Sequence, residues 1–315
     1  MKPDLLERDL LAIPDRLGQL ASHLEHDTPW PPLAPAGPLL SGMGSSQYAA
    51  RTVSGWLHAA GVNAMDEIAS TDPGWAGGDG AAAILISASG GSAETLDRMA
   101  RLSGGTQRIA LVNSLDSSLA RQADVVVDML AGPEDGEVAC RTYRHTLALL
   151  LALALPRREV AAACRAAAQR TAELLADTAW LDPVDEVLSP AGTTYWIAPE
   201  SRIGSALQSA LMIREIPRRP AVGCETGDWS HVDVYLTLTP DYRCVVFTGS
   251  RWDPQAADWL SRRGSRVICV GDGLGIPGEA IVPMPADPLV RMLCEPLVAE
   301  LLALRWWRRD PVVAA

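Results

Sequence analysis

Short apolar runs alternate along this chain with longer segments of helical periodicity. In the first half the runs are 38–40, 82–86, 108–112 and 125–129, and each is followed by a turn rich in Gly, Ser, Asn or Pro and then by apolar residues spaced three to four apart. A short apolar run followed by such a segment is typical of a buried strand and the helix that covers it. The pattern predicts a parallel sheet with helices on both faces, whose ligands bind at the carboxyl ends of the strands.

The same alternation returns after a predicted helix over 156–179. Predicted strands at 194–197, 232–238, 244–248, 265–270 and 280–284 are interleaved with predicted helices at 203–216, 254–263 and 289–307. The fold class is therefore predicted as α/β, with two doubly wound parallel-sheet subdomains. We expect a leading helix and proline-rich linker over 1–37, a first domain over 38–180 and a second over 181–315.

The stretch at 81–99, AAAILISASGGSAETLDRM, carries the clearest chemistry. It is typical of a buried strand, a turn and a helix, and it brings the hydroxyls of Ser87, Ser89, Ser92 and Thr95 close to the first-turn amides of that helix. Such a turn favours an anion, and a phosphate suits it. The alternative is that Ser89 or Ser92 only caps the helix while the glycines only turn the chain.

Composition narrows the possible partners and location. A net charge of −11 argues against a nucleic acid or an anionic membrane as a partner, because both need a positive binding face. The six cysteines form no CxxC pair, so we expect neither disulfides nor a bound metal. The charged start lacks the features of a signal peptide, and the longest apolar run, 147–155, is too short to span a membrane. We expect a cytoplasmic protein.

Four stretches together resemble the sugar isomerase (SIS) family, and within it the isomerase half of glucosamine-6-phosphate synthase without the glutaminase domain. They are SGMGSSQYAA at 41–50, ISASGGSAETL at 86–96, SSLARQADVVVDMLAGPEDGEVACRTYRHTLALL at 117–150 and SALQSALMIREIPRRPAVGCETGDWSH at 205–231. The resemblance implies two flavodoxin-like SIS subdomains. It also implies that a sugar phosphate is held by Ser46, Ser87, Ser89 and Ser92, in a pocket that includes Gly44, Ser45, Thr95 and Glu137.

Two further residues are candidates for catalysis. Glu215 ends a predicted helix near an apolar interior, and His231 follows a Gly-containing loop. A carboxylate of raised pKa and an imidazole suit proton transfer between sugar carbons and ring opening, and the resemblance implies these two roles. The alternatives are a surface partner of nearby arginines for Glu215 and a solvated loop position for His231.

The chain also departs from the synthase pattern. Met212 stands where the synthase has a lysine, and Lys2 is the only lysine in the sequence, so chemistry that requires a lysine Schiff base is improbable. An enediol isomerase needs no such amine. We therefore expect an aldose–ketose isomerase of phosphosugars without cofactor or metal. The resemblance implies a homodimer with shared active sites, because in that family the histidine that matches His231 reaches the site of the partner subunit. The alternatives are an amino-sugar phosphate deaminase or deglycase, and a phosphosugar-binding sensor without catalysis.

Overall fold

A computed structural model describes residues 2–33, 37–190, 192–239 and 241–310. The chain divides into two compact units: a first unit, Ala12–Ala168, and a second unit, Met1–Leu11 with Gln169–Ala315. Helix α1 (Pro3–Leu11) ends at this boundary and α2 (Ile13–His26) opens the first unit. The sequence-based domains differ from these units because the leading segment is split between them.

The first unit is built on a five-stranded parallel sheet of order β2-β1-β3-β4-β5. Its strands are β1 (Pro38–Gly42), β2 (Met65–Ile68), β3 (Ala82–Ser87), β4 (Gln107–Val112) and β5 (Val125–Asp128). Its helices after α2 are α3 (Ser45–Ala59), α4 (Ala93–Ala100), α5 (Ser118–Gln122), α6 (Arg141–Leu151) and α7 (Arg157–Ala176), and the unit boundary falls within α7.

Burial explains why β1 and β3 read as continuous apolar runs. Every residue of both strands is buried, because helices cover the two faces of the sheet. Gly42 ends β1 where a side chain has no room: a Cβ there would stand 2.7 Å from Ser46 Cβ and 2.8 Å from the Ile86 carbonyl oxygen. This close approach lets the turns after β1 and β3 lie side by side.

The second unit holds another five-stranded parallel sheet, of order β10-β9-β8-β6-β7. Its strands are β6 (Thr194–Ala198), β7 (Ala221–Glu225), β8 (Arg243–Phe247), β9 (Arg266–Val270) and β10 (Ala280–Val282). Its helices after α1 and α7 are α8 (Leu181–Leu188), α9 (Ile203–Glu215), α10 (Thr226–Trp229), α11 (Asp253–Arg262), α12 (Pro288–Cys294) and α13 (Leu297–Arg309). The predicted α/β class with two parallel sheets is confirmed.

Two predicted elements of the second half differ from the structure, one in its type and one in its continuity. The segment predicted as a strand over 232–238 is a 3₁₀ helix, Asp233–Leu238, in which the buried residues Val234 and Thr237 are three apart. The predicted helix over 289–307 is two helices, α12 and α13, separated at Pro296, which has no N–H to continue the first one. Among the described residues, no helix combines the length and apolarity needed to cross a bilayer.

Candidate phosphate-binding cavity

A cavity of about 1070 Å³ opens at the carboxyl ends of the strands of the first unit. Its walls come from α2, from the turns after β1, β3 and β4, and from the segment between β5 and α6. Seven of the residues predicted for a substrate site line it: Ser45, Ser46, Ser87, Ser89, Ser92, Thr95 and Glu137. Gly44 is not among the lining residues, although its neighbours Met43 and Ser45 are.

The turn between β3 and α4 is shaped by its own serines and glycines. The Gly90 N–H donates to Ser87 Oγ at 3.1 Å, and the Gly91 N–H donates to Ser89 Oγ at 3.2 Å. Gly90 has a φ of +61°, and a Cβ there would fall 2.0 Å from Ser117 Oγ, so only glycine fits. The packing thus holds the serine side chains at the cavity wall.

Ser92 is both a helix cap and a cavity-lining residue, and its binding of a phosphate stays a prediction. It caps α4, because its Oγ accepts from the Thr95 N–H at 3.4 Å, and it also lines the cavity. The adjacent Glu94 shows which charge this helix start favours: hydrogen bonds from its own backbone N–H and from the Ser92 hydroxyl hold the pKa of Glu94 below its usual value. A negative charge is therefore stabilised at the first turn of α4.

The corresponding turn of the second unit is already filled by its own chain. Asp253 Oδ2 accepts from the backbone N–H groups of Gly249, at 2.6 Å, and Ser250, at 3.1 Å. A side-chain carboxylate takes the donors that a bound anion would need. This arrangement favours the first unit as the place for a phosphate.

Glu134 is a cavity-lining carboxylate that sequence reasoning missed. One oxygen, Oε1, accepts from the Cys140 N–H at 2.8 Å and from the Arg141 N–H at 2.5 Å, and the other accepts from Thr142 Oγ1 at 2.6 Å. Burial raises the pKa of Glu134 despite these bonds. Glu134 thus caps α6 from the cavity wall. In the sequence, the one indication of this capping role was that Glu134 lies a few residues before a helix.

Helix α2 adds a polar wall that the sequence analysis did not assign. Arg16, Gln19 and His23 recur at spacings of three and four and line the cavity, opposite the apolar face that the helix buries. His23 Nδ1 lies 3.2 Å from Asp27 Oδ2. The spacing was visible in the sequence, but the contact of this helix with the strand ends was not.

The two predicted catalytic residues belong to the second unit. Glu215 is the last residue of α9, half-buried, and burial raises its pKa. His231 is exposed, two residues after α10, and it precedes four exposed apolar side chains, those of Val232, Tyr235, Leu236 and Leu238. Met212, at the position of the synthase lysine, is fully buried. Catalytic roles for Glu215 and His231 stay predictions.

Within the described ranges, no three His, Cys, Asp or Glu side chains cluster in a way that could hold a metal ion. The cavity instead offers hydroxyls, side-chain amides, carboxylates, an imidazole and one guanidinium. These groups suit a polar ligand that carries an anion and several hydroxyls, such as a phosphorylated sugar.

Comparison with known proteins also relates this chain to proteins whose names refer to sugar phosphates. Residues 39–156 match the family model described as the SIS domain. The glutamine–fructose-6-phosphate aminotransferase of Thermotoga maritima is 32% identical over 246 residues, which cover 68% of this chain and 40% of that protein. The chain thus spans about 40% of the length of the curated relatives it matches.

Solved structures share the fold at low sequence identity. The tagatose-6-phosphate ketose/aldose isomerase of Escherichia coli matches with a TM-score of 0.84 and 16% identity, covering 99% of this chain and 96% of that one. A glucosamine-6-phosphate deaminase of Thermotoga maritima matches with a TM-score of 0.75 and 16% identity, covering 98% and 95%.

Proposed function

This chain contains a SIS domain and is homologous to the isomerase region of glutamine–fructose-6-phosphate aminotransferases, and from that premise we propose that it interconverts the aldose and ketose forms of a sugar phosphate. The observation that carries the proposal is the serine-rich turn between β3 and α4, whose hydroxyls line a cavity beside a helix start that favours negative charge. In this proposal Ser46, Ser87, Ser89 and Ser92 bind the phosphate.

Glu215 is the proposed proton shuttle. Its carboxylate takes the proton from C2 of the open-chain aldose while the C1 carbonyl oxygen gains a proton from solvent, which gives an enediol. Glu215 then returns its proton to C1, while the C2 hydroxyl loses its proton to solvent and becomes the carbonyl. A pKa raised by burial supports this role, because it brings proton uptake and release closer to neutral pH. His231 is the proposed acid and base for opening the sugar ring.

A homodimer with shared sites is the proposed assembly. His231 is exposed and is followed by Val232, Tyr235 and Leu238, which are 58%, 68% and 66% exposed. An apolar patch of this kind favours a protein partner, and a second copy of the chain would place His231 of one subunit in the site of the other.

Incubation of hexose phosphates in heavy water tests the proposed activity. Solvent deuterium at C2 together with interconversion of aldose and ketose is the expected result. Release of ammonia from an amino-sugar phosphate would instead indicate a deaminase, and binding with neither reaction would indicate a sensor. Either result would contradict the proposed isomerase.

A further inference from the structure

In the proposed function the serine turn binds the phosphate, and this leaves the one arginine of the cavity lining without a role. Arg16 of α2 lines the cavity and is half-buried. Its guanidinium NH1 donates to Gln19 Oε1 at 3.0 Å, and among the described residues it forms no ion pair with a carboxylate. Within the described lining of the cavity, Arg16 is the only arginine or lysine.

The packing beside Arg16 leaves room for the guanidinium. Gly132 has a φ of +68°, and a Cβ at that position would stand 2.8 Å from Arg16 Cζ, so any side chain there would displace the guanidinium. The Gly132 carbonyl is held in place by Asn113 Nδ2 at 2.8 Å. A guanidinium that borders a cavity without a carboxylate partner is available to pair with a planar anion.

Arg16 and the serine turn occupy different parts of the wall. The turn follows β3, whereas Arg16 packs against the segment that follows β5, and β4 lies between these two strands. Asn113, which follows β4, stands between the two places: its N–H donates to the Ala88 carbonyl at 3.0 Å and its Nδ2 donates to the Gly132 carbonyl at 2.8 Å. A phosphorylated six-carbon sugar is long enough to present different groups to both.

Two carboxylates of the cavity, those of Glu134 and Asp128, form their hydrogen bonds with groups other than Arg16. Glu134 turns both oxygens to donors at the start of α6. Asp128 Oδ1 accepts from the Leu130 N–H at 2.8 Å. Glu137 is exposed at the rim. None of these hydrogen bonds is donated by the Arg16 guanidinium.

We infer that Arg16 is a specificity-determining residue that binds a second anionic group of the substrate, remote from the phosphate. The substrate class is then a phosphosugar that carries a carboxylate or a further phosphate at the other end of its carbon chain. This inference rests on the proposed function, because it assumes that the serine turn holds the first phosphate.

Two linear probes that differ at one carbon test this inference. Sorbitol 6-phosphate and 6-phosphogluconate both carry a terminal phosphate, and only the second has a carboxylate at C1. By calorimetry on the full chain we expect 6-phosphogluconate to bind at least about tenfold more tightly. In Arg16→Gln this preference should fall to within about threefold, while the affinity for sorbitol 6-phosphate stays near that of the wild type.

Two matched variants complete the test. Arg158→Gln removes the same charge from an exposed position on α7 and should keep the preference. Arg16→Lys should keep part of it, since the charge remains and the planar fork is lost. Equal affinity of the wild type for both probes, or equal weakening of both in Arg16→Gln, would overturn the inference while leaving the phosphate site intact. Failure of both probes to bind the wild type would overturn the proposed function as well.

Discussion

Ser92 and Thr95 are joined twice at the start of α4: the Thr95 N–H donates to Ser92 Oγ at 3.4 Å and Thr95 Oγ1 donates to the same atom at 3.2 Å. Thr95 is fully buried, so this pair fixes the Ser92 hydroxyl at the cavity wall from the protein side. A helix cap and a cavity-lining hydroxyl are thus combined in one side chain.

Two substitutions of Ser92 separate these roles. Ser92→Ala should lower the free energy of unfolding by about 1 kcal/mol, because the cap is lost, and should weaken phosphosugar binding. Ser92→Asp still caps the helix, but its carboxylate meets that of Glu94, so it should recover only part of the lost stability, and it should bind phosphosugar far more weakly because its charge repels the phosphate. Urea unfolding and calorimetry measure the two effects. Asp287→Ala, which removes the cap of α12 in the second unit, is the control that should lose stability without losing affinity.

Glu215→Gln tests the proposed proton shuttle. The amide keeps the size of the carboxylate but cannot take up a proton, so solvent exchange at C2 should stop while phosphosugar affinity stays within about tenfold. Proton magnetic resonance in heavy water follows the exchange. Glu225→Gln is a control that removes another carboxylate of the second unit, one whose part in the structure is to cap α10. Turnover retained in Glu215→Gln would remove this residue from the mechanism.

His145 should make the protein sensitive to acid. It is fully buried on α6, and burial with the neighbouring positive charges lowers its pKa to about 4, against the ordinary 6.5. Because the folded pKa lies below the unfolded one, the neutral ring contributes stability above about pH 6.5, which is lost as the pH falls toward 4. Between pH 7.5 and 4.5 this loss amounts to roughly 2 to 3 kcal/mol.

The substitution His145→Gln should reduce that acid sensitivity. An amide can still donate to the Met129 carbonyl, which lies 2.7 Å from His145 Nδ1, and it does not titrate. Urea unfolding at the two pH values gives the free energies, and the exposed His58→Gln is the control. An unchanged difference between the two pH values in His145→Gln would show that the acid sensitivity lies elsewhere.

Mixing two inactive variants tests the shared site. If Glu215 of one subunit and His231 of the other serve one site, a mixed dimer of Glu215→Gln and His231→Ala has one intact site of two. With half of the dimers mixed, activity should recover to about a quarter of the wild-type value. If activity does not recover although subunit exchange has been demonstrated, the shared site is ruled out. The two residues would then either serve a site within one subunit or take no part in the active site.

The sequence predicted the parallel strands best where they are buried on both faces. β3 and β4 read as apolar runs because the helices leave them no solvent-facing side. The edge strand β7 was missed: Val222 is exposed, and Gly223 is required by the backbone of α9, where a Cβ would stand 2.7 Å from the Ala206 carbonyl oxygen. Such a strand carries neither an apolar run nor a clean alternation.

The part of the candidate site that lies within one short stretch of sequence could be predicted. The serines of the β3–α4 turn lie within six residues of one another, so their convergence follows from one turn and one helix start. Arg16 reaches the cavity only because α2 packs beside the end of the sheet, a contact between residues more than a hundred positions apart, as with Gly132. No local pattern encodes such a contact.

Titration of the wild type and Ser89→Asp with a sugar phosphate is the most direct test of the phosphate site. Ser89 is exposed at the cavity wall, so an aspartate should leave the fold intact while placing a carboxylate where the phosphate binds. Calorimetry should show affinity at least about a hundredfold lower in Ser89→Asp and unchanged in the exposed loop variant Ser103→Asp. Unchanged affinity in a folded Ser89→Asp would contradict the account and place the phosphate elsewhere.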